Sequence, residues 1–186
     1  MNTIQRILIG GGVRCGKSAF AVARARQLGQ RRTFIATAQA LDDEMRQRIA
    51  EHRVARGADF ATIEEPIELA AVLRRLTAVD TVVVDCLTLW LSNLLLCGES
   101  EGRILARVDE LGTVFERVPF HAILVTNEVG MGVHPEHALG RSFRDVAGRA
   151  HVRLARSANE IYFAALGVML RLRPSPVVVV PLAHAS

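Results

Sequence analysis

The feature that most constrains this chain is a glycine-rich segment near its start, GGVRCGKS at residues 11–18. It matches the pattern GxxxxGK[ST], in which glycines let the backbone wrap closely around phosphate oxygens and backbone N–H groups point at the anion. An apolar run at residues 4–9 predicts a buried strand before it, and residues 18–28 predict a helix after it. This context indicates a phosphate-binding loop rather than a chance turn. Its residues are Gly11, Gly12, Val13, Arg14, Cys15, Gly16, Lys17 and Ser18.

Three side chains are expected to complete the phosphate site. Lys17, the only lysine in the chain, should reach the β and γ phosphates of a nucleoside triphosphate, and Ser18 should ligate Mg²⁺. Such loops pair with an acid at the tip of a second strand, and Asp85 at the end of TVVVD is the best candidate. Its alternative role, capping the next helix, is compatible with the first. The segment TNEVG at 126–130 is not the guanine-reading NKxD motif, which disfavours a Ras-like signalling GTPase.

Strand patterns alternate with helix patterns along the whole chain. Strands are predicted at residues 4–9, 33–37, 61–64, 81–86 and 121–129, with one or two more within 160–172. Helices are predicted at 18–28, 41–56, 66–76, 88–96, 101–117 and 142–158, with Asp42 capping the second and Pro66 opening the third. The alternation predicts an α/β fold of the P-loop NTPase (RecA-like) type, a mostly parallel sheet with helices on both faces. We expect one domain over residues 1–186, with 174–186 as a loose tail or an edge strand.

Composition excludes several classes of protein. The net charge of +4 comes from 23 basic residues interspersed with 19 acidic ones, without a basic stripe or an aromatic platform, so no nucleic-acid partner is expected. Cys15, Cys86 and Cys97 are odd in number and form no CxxC pair, which argues against a zinc site or a disulfide framework. Neither a signal peptide nor a membrane span is expected, and a reducing cytoplasm fits best.

One histidine is a candidate nucleophile. His52 lies on the second predicted helix, with Arg48 one turn before it and Arg56 one turn after it. Two neighbouring cations favour a neutral imidazole, whose free nitrogen can attack phosphorus. From these residues alone, an ordinary solvated surface histidine is the alternative.

Several longer segments occur in an order and at a spacing that resemble a known enzyme family. They are GGGVRCGKS, IATAQALDDEMRQRIAEHR, TIEEP, VVVDCLTLWLSNLL and LVTNEVGMGVHPEHALGRSFRDVAGR. Together they look like the bifunctional adenosylcobinamide kinase / adenosylcobinamide-phosphate guanylyltransferase of cobalamin biosynthesis. The resemblance covers about residues 4–172, and TNEVGMGVHPE with FRDVAGR is its most specific part.

The resemblance implies two reactions and a set of nucleotide contacts. A nucleoside triphosphate, ATP or GTP, would phosphorylate the aminopropanol hydroxyl of adenosylcobinamide. A histidine, matched here by His52, would then carry GMP from GTP to adenosylcobinamide-phosphate, giving adenosylcobinamide-GDP and pyrophosphate. The family is also implied to be a homotrimer. The family's further nucleotide contacts match Ala36, Thr37, Ala38, Arg53, Val54, Ala55, Arg56 and Glu64.

The chain departs from the family pattern at a few positions. Val13-Arg14-Cys15 replaces the usual Ala-Arg-Ser, which makes Cys15 a possible oxidation site, and His151-Val152 replaces a frequent Asn-Gln. The loop after Asn127 and Glu128 is expected to touch substrate or to be a simple strand exit. Two other functions stay open: a plain small-molecule P-loop kinase in which His52 is idle, and a nucleotide-binding regulatory subunit.

Overall fold

The computed structural model describes residues 3–40 and 42–180, apart from the side chains of Arg48 and Ala55. Its strands are β1 Arg6–Gly11, β2 Arg32–Ala36, β3 Ala61–Glu64, β4 Thr81–Asp85, β5 His121–Val125, β6 Glu160–Ala165, β7 Val168–Arg173 and β8 Val178–Val180. Its helices are α1 Lys17–Leu28, α2 Asp43–Arg56, α3 Leu69–Arg75, α4 Leu87–Leu96, α5 Glu101–Arg117 and α6 Ala138–Ser157.

The strands form one eight-stranded sheet in the order β3-β2-β4-β5-β1-β6-β7-β8. Strands β1 to β6 run parallel, so their carboxyl ends lie along one edge. Strands β7 and β8 are antiparallel additions at the far side. A two-residue turn joins β6 to β7, and both of its residues, Leu166 and Gly167, have positive φ angles, as in the tight turns that suit the twist of a hairpin. The mostly parallel sheet predicted from the sequence is confirmed.

Helices cover both faces of this sheet, as predicted. On one face the apolar side chains of α3, α4, α5 and α6 pack against alternate strand residues such as Leu8 and Val84. On the other face α1 and Phe60 cover the intervening residues, such as Ile9 and Val83. Among its described side chains, α2 adds none to either apolar layer, so this helix lies outside the core. Across the described residues, no helix has the length and apolar composition needed to cross a membrane.

The third helix begins later than predicted. We expected Pro66 to open it, but α3 begins at Leu69. Side chains of α4 hold the residues that precede α3. Asn93 donates to the Pro66 carbonyl oxygen (3.1 Å), and Trp90 Nε1 donates to the Ile67 carbonyl oxygen (2.7 Å). These tertiary bonds engage the carbonyl groups that a first helical turn would have used. Trp90 itself is 2% exposed and belongs to the core.

Other boundaries also move. Helix α6 begins at Ala138, four residues before the predicted start, where Gly140 has no Cβ to collide with Pro135: an added Cβ would lie 2.8 Å from Pro135 Cβ. Strand β5 ends at Val125, so residues 126–129 leave the sheet. Strand β8 lies at the sheet's edge, as one of two alternatives for residues 174–186 predicted. Residues 181–186 of that segment, and Leu41 at the predicted start of α2, lie outside the described residues.

Candidate active site

The glycine-rich segment forms a loop between β1 and α1 at the carboxyl edge of the sheet. Gly11 has φ 143°, and a Cβ there would lie 2.6 Å from the Ala164 carbonyl oxygen, so only glycine fits. Gly16, at φ 88°, is the N-cap of α1 and gives it no side-chain cap. The first N–H groups of α1 therefore face the loop without a capping side chain, as a phosphate site requires.

Lys17 lies folded back on its own loop. Its side chain is 6% exposed, and its ammonium donates to the Gly12 carbonyl oxygen and lies 3.4 Å from Cys15 Sγ. The ammonium therefore occupies the space inside the loop. When a phosphate binds, the Lys17 ammonium would donate to a phosphate oxygen instead of the Gly12 carbonyl oxygen. The new hydrogen bond would be the stronger one, because both of its partners are charged.

Asp85 ends β4 beside the loop, as the sequence predicted. The Ser18 hydroxyl lies beside the Asp85 carboxylate, close enough to act on its pKa. Burial raises the pKa of Asp85, while that hydroxyl and the positive charges of His52, Lys17 and Arg56 act to lower it. The residue at the N-cap of α4 is Cys86, without a side-chain cap, so helix capping is not the role of Asp85. The arrangement is a half-buried carboxylate held among a hydroxyl and cations.

Thr37 holds the turn that carries Asp85. Its hydroxyl donates to the Cys86 carbonyl oxygen and accepts from the Cys86 N–H, both at 2.8 Å. Its own carbonyl oxygen accepts from Asn93 (2.9 Å), and its N–H donates to the Asp85 carbonyl oxygen (3.3 Å). Every polar group of Thr37 is thus bonded within the protein. Ala36 and Ala38 on either side are half-buried at the strand end.

His52 lies on α2 and is exposed. It is near enough to Asp85 to influence the pKa of that carboxylate. The N-terminus of α2 is capped by Asp42, whose carboxylate accepts from the Met45 N–H at 2.7 Å, as predicted. The structure therefore brings together the loop, Asp85 and His52, which are far apart in the sequence.

Arg56 anchors the end of α2. Its guanidinium carbon lies 4.0 Å from the centre of the Phe34 ring, and it donates to Thr62 Oγ1 at 2.8 Å. Burial, followed by the charge of Arg53, lowers the pKa of Arg56. Arg26 on α1 donates to the Arg56 carbonyl oxygen at 2.9 Å. The resemblance implied Arg56 as a nucleotide contact, and this stays a prediction; in the structure its guanidinium contacts Phe34 and Thr62.

The remaining resemblance-based residues lie on the same side. Arg53 and Glu64 form an ion pair with each other, and both are exposed. Val54 is 83% exposed, and the side chain of Ala55 is not described. Arg53 and Glu64 are thus near enough to contact the same ligand. Their ion pair would have to open for this, and an exposed ion pair contributes little stability.

Sequence reasoning missed one part of this edge. His151 on α6 lies 2.7 Å through Nε2 from Thr126 Oγ1 and 3.6 Å through Nδ1 from a Glu128 carboxylate oxygen. A signal was present, because His151 is four residues after Ala147, which faces the core on the apolar side of α6. Among the described residues, no group of three or more His, Cys, Asp or Glu side chains is arranged to hold a metal ion.

A parallel sheet with this loop and an acid at its carboxyl edge defines a nucleotide-binding enzyme of the RecA-like P-loop class. Solved structures support the fold. The RadB recombinase superposes with TM-score 0.51 at 13% identity, over 93% of this chain and 84% of that one. A protein of Pyrococcus horikoshii OT3 superposes with TM-score 0.54 at 9% identity, over 91% and 86%.

Sequence comparison identifies the family. Residues 7–172 match the family described as cobinamide kinase / cobinamide phosphate guanyltransferase, and the chain belongs to it. The bifunctional adenosylcobalamin biosynthesis protein CobP of Pseudomonas aeruginosa is 43% identical over 173 residues, covering 92% of this chain and 99% of that protein. The CobU proteins of Escherichia coli K12 and Salmonella typhimurium are 37% and 38% identical over 180 residues, each covering 90% of this chain and 99% of that protein. The resemblance noted from the sequence is thereby confirmed.

Proposed function

We propose that this chain phosphorylates adenosylcobinamide and then transfers GMP to the phosphorylated product through a covalent bond to His52. The two activities are those of its family. The covalent step is supported by the proximity of His52 to Asp85: His52 and Lys17 of the phosphate loop are both near enough to influence the pKa of that carboxylate. A solvated surface histidine with no role would not need that position.

The nucleotide is proposed to bind along the carboxyl edge. The N–H groups of residues 11–18 would surround its phosphates, and Lys17 would turn from the Gly12 carbonyl oxygen to the phosphate oxygens. Arg53 and Glu64 would exchange their ion pair for contacts to the nucleoside, and Val54 and Ala55, which follow Arg53 in the sequence, are proposed as further nucleotide contacts. Ala36, Thr37 and Ala38 would contribute backbone surface, since the polar groups of Thr37 are already bonded.

Mg²⁺ fits the oxygen groups of this site. Ser18 and Asp85 present a hydroxyl and a carboxylate side by side, the hard oxygen ligands that Mg²⁺ prefers, and burial disfavours the charged carboxylate without a cation. When bound, Mg²⁺ would neutralise charge on the phosphate oxygens. Ser18 and Asp85 would hold it.

His52 would act as the nucleophile in guanylyl transfer. An imidazole nitrogen forms a bond to the α-phosphorus of GTP, the bond from that phosphorus to the bridging oxygen breaks, and pyrophosphate leaves with the electron pair. A phosphate oxygen of adenosylcobinamide-phosphate then attacks the same phosphorus, and the P–N bond breaks to regenerate His52. Lys17 would stabilise the negative charge that develops on the phosphate oxygens.

The test is covalent labelling. Wild type, His52→Ala and the control His134→Ala, an exposed histidine outside this site, are incubated with Mg²⁺ and α-³²P-GTP and separated on a denaturing gel. We expect acid-labile, alkali-stable label on wild type and on His134→Ala, and none on His52→Ala. Good GTP binding without label on wild type would exclude the covalent step and leave a plain kinase.

The homotrimer implied by the resemblance is also proposed. Val177 and Val179 at the edge of the sheet are 61% and 68% exposed, and they form apolar surface that an interface between copies would cover. Sedimentation equilibrium gives the mass directly, and a mass of one chain, about 20 kDa, would contradict this proposal.

A further inference from the structure

A line of four polar side chains runs beside the carboxyl ends of β4 and β5, and guanylyl transfer uses none of them. Thr88 Oγ1 on α4 lies 3.1 Å from Thr126 Oγ1. Thr126 continues the line to His151 Nε2 at 2.7 Å, and His151 Nδ1 continues it to Glu128 Oε2 at 3.6 Å. The line joins the helix that follows Asp85 to the loop that follows β5.

His151 is held in one state at the centre of this line. Its side chain is 13% exposed, and burial lowers its pKa, while the charge of Glu128 acts in the other direction. A neutral imidazole that accepts the Thr126 hydroxyl hydrogen at Nε2 must carry its own hydrogen on Nδ1, the nitrogen facing Glu128. In that tautomer, His151 directs an N–H group towards the Glu128 carboxylate, whose nearer oxygen lies 3.6 Å away.

Glu128 lies against the phosphate loop. Its N–H donates to the Gly11 carbonyl oxygen at 2.9 Å, and its carboxylate Oε1 accepts from the Gly130 N–H at 2.7 Å. Arg144 from α6 donates to the Gly130 carbonyl oxygen at 2.6 Å and fixes the same loop. The Glu128 side chain nevertheless stays 27% exposed. The carboxylate is thus oriented by the protein and open to a ligand.

His52 and Glu128 lie on opposite sides of the phosphate site. Helix α2 with His52 reaches the site from the α1 face, to which Arg26 ties it. His151 belongs to α6 on the opposite face, so the Glu128 carboxylate lies on that side. Asp85 lies beside the Ser18 hydroxyl, whereas Glu128 is a partly exposed carboxylate on the other side of the loop. A phosphoryl acceptor that approaches from the α6 face would meet Glu128 first.

We propose that Glu128 is the general base of the kinase reaction and that His151 is its positioning residue, an inference that rests on the function proposed above. The acceptor hydroxyl gives its proton to the Glu128 carboxylate as its oxygen bonds to the γ-phosphorus. The bond between that phosphorus and the bridging oxygen breaks, and the nucleoside diphosphate leaves. The proton then passes from Glu128 to water.

The test separates the two reactions in one protein. Glu128→Gln keeps the shape of the side chain but cannot accept the proton, and Glu116→Gln is a matched control at an exposed position of α5. Kinase turnover is measured with γ-labelled nucleotide and adenosylcobinamide, and covalent labelling of His52 is measured with α-labelled GTP. We expect Glu128→Gln to lose about 100-fold in kinase kcat, with labelling of His52 and nucleotide Kd close to wild type and Glu116→Gln unaffected.

The positioning role of His151 is tested with a measurement that general destabilisation of the protein would not affect in the same way. His151→Ala should lower kinase kcat about tenfold without raising KM for adenosylcobinamide, because binding is intact and orientation is lost. His151→Asn should restore most of that loss, since the Asn amide nitrogen falls at the δ position that faces Glu128. A rise in KM with unchanged kcat, or no rescue by Asn, would overturn the positioning role.

The outcomes are distinguishable. Kinase activity of Glu128→Gln within threefold of wild type would overturn the general-base proposal alone. Equal losses of kinase activity and of His52 labelling would overturn it too, by showing that the substitution damages the shared nucleotide site. A wild-type protein without kinase activity would overturn the proposed function and this inference with it.

Discussion

The Thr37 hydroxyl both donates to and accepts from the backbone of Cys86, with each hydrogen bond 2.8 Å long. Thr37 follows β2 and Cys86 follows β4, so one side chain ties together the ends of two neighbouring strands where they reach the site. Thr37 is fully buried. The position of Asp85, one residue before Cys86, therefore depends on a residue whose side chain has no free group left for nucleotide.

Thr37→Val should weaken both the fold and Mg²⁺–nucleotide binding. Valine has the same shape but leaves the N–H and carbonyl of Cys86 without their partner, which costs about 2 kcal/mol of unfolding free energy. Thr37→Ser keeps the hydroxyl and should stay within about 1 kcal/mol of wild type. Urea unfolding and calorimetric titration with GTP measure the two effects. Equal stability of the Val and Ser variants would show that the hydrogen bonds contribute nothing.

Asp85→Asn should stabilise the protein without nucleotide while removing its response to Mg²⁺–GTP. Burial raises the pKa of Asp85 above the unfolded value of about 3.9. A carboxyl group of this kind costs folding energy when it ionises, so its penalty is absent below the unfolded pKa and appears as pH rises through the folded pKa. The advantage of Asn over wild type should therefore be close to zero near pH 4 and grow towards neutral pH.

The matching measurement is urea unfolding of wild type and Asp85→Asn across this pH range, without nucleotide and with excess Mg²⁺–GTP. With ligand the order should reverse, because only wild type gains binding free energy, about 2.7 kcal/mol at 100 times Kd. If Mg²⁺–GTP stabilised Asp85→Asn against urea as much as it stabilises wild type, Asp85 would be excluded from the site.

Arg56→Lys should loosen α2 and slow the labelling of His52. Lysine keeps the charge but loses the planar contact with Phe34 and the directed bond to Thr62, both of which hold the end of the helix. We expect a loss of about 1–2 kcal/mol in unfolding free energy and slower labelling at saturating GTP. Arg46→Lys is the control, since Arg46 lies on the exposed side of α2 and pairs with Asp43. Faster labelling of Arg56→Lys would show that a mobile helix is the more reactive form.

Much of the fold and the core of the site could be predicted from the sequence. The phosphate loop and Asp85 follow from local patterns, since a loop motif and the tip of an apolar strand are read from adjacent residues. The start of α3 could not, because side chains of Trp90 and Asn93, more than twenty residues away, determine it. The two hydrogen bonds of the Thr37 hydroxyl and the contact between His151 and Glu128 could not be predicted either. Both join residues that are far apart in the sequence, and a local hydrophobic pattern carries no information about such pairs.

Alkylation of the three cysteines should report directly on occupancy of the phosphate loop. Cys97 is exposed and should react first with N-ethylmaleimide, whereas Cys86 is buried and its pKa is raised to about 12, so its thiol stays unreactive. Cys15 is half-buried within the loop, 3.4 Å from the Lys17 ammonium, and should react at an intermediate rate.

Bound nucleotide should protect Cys15 alone. At 100 times Kd only about 1% of the protein is free, so GTP should slow Cys15 alkylation about 100-fold if the occupied loop is unreactive. Cys97 lies at the end of α4 and serves as the internal control, with a rate that GTP leaves unchanged. Mass spectrometry of peptides at timed intervals gives each rate. Alkylation of Cys15 at the same rate with and without saturating GTP would mean that the phosphates bind elsewhere, and the assignment of residues 11–18 as their site would fail.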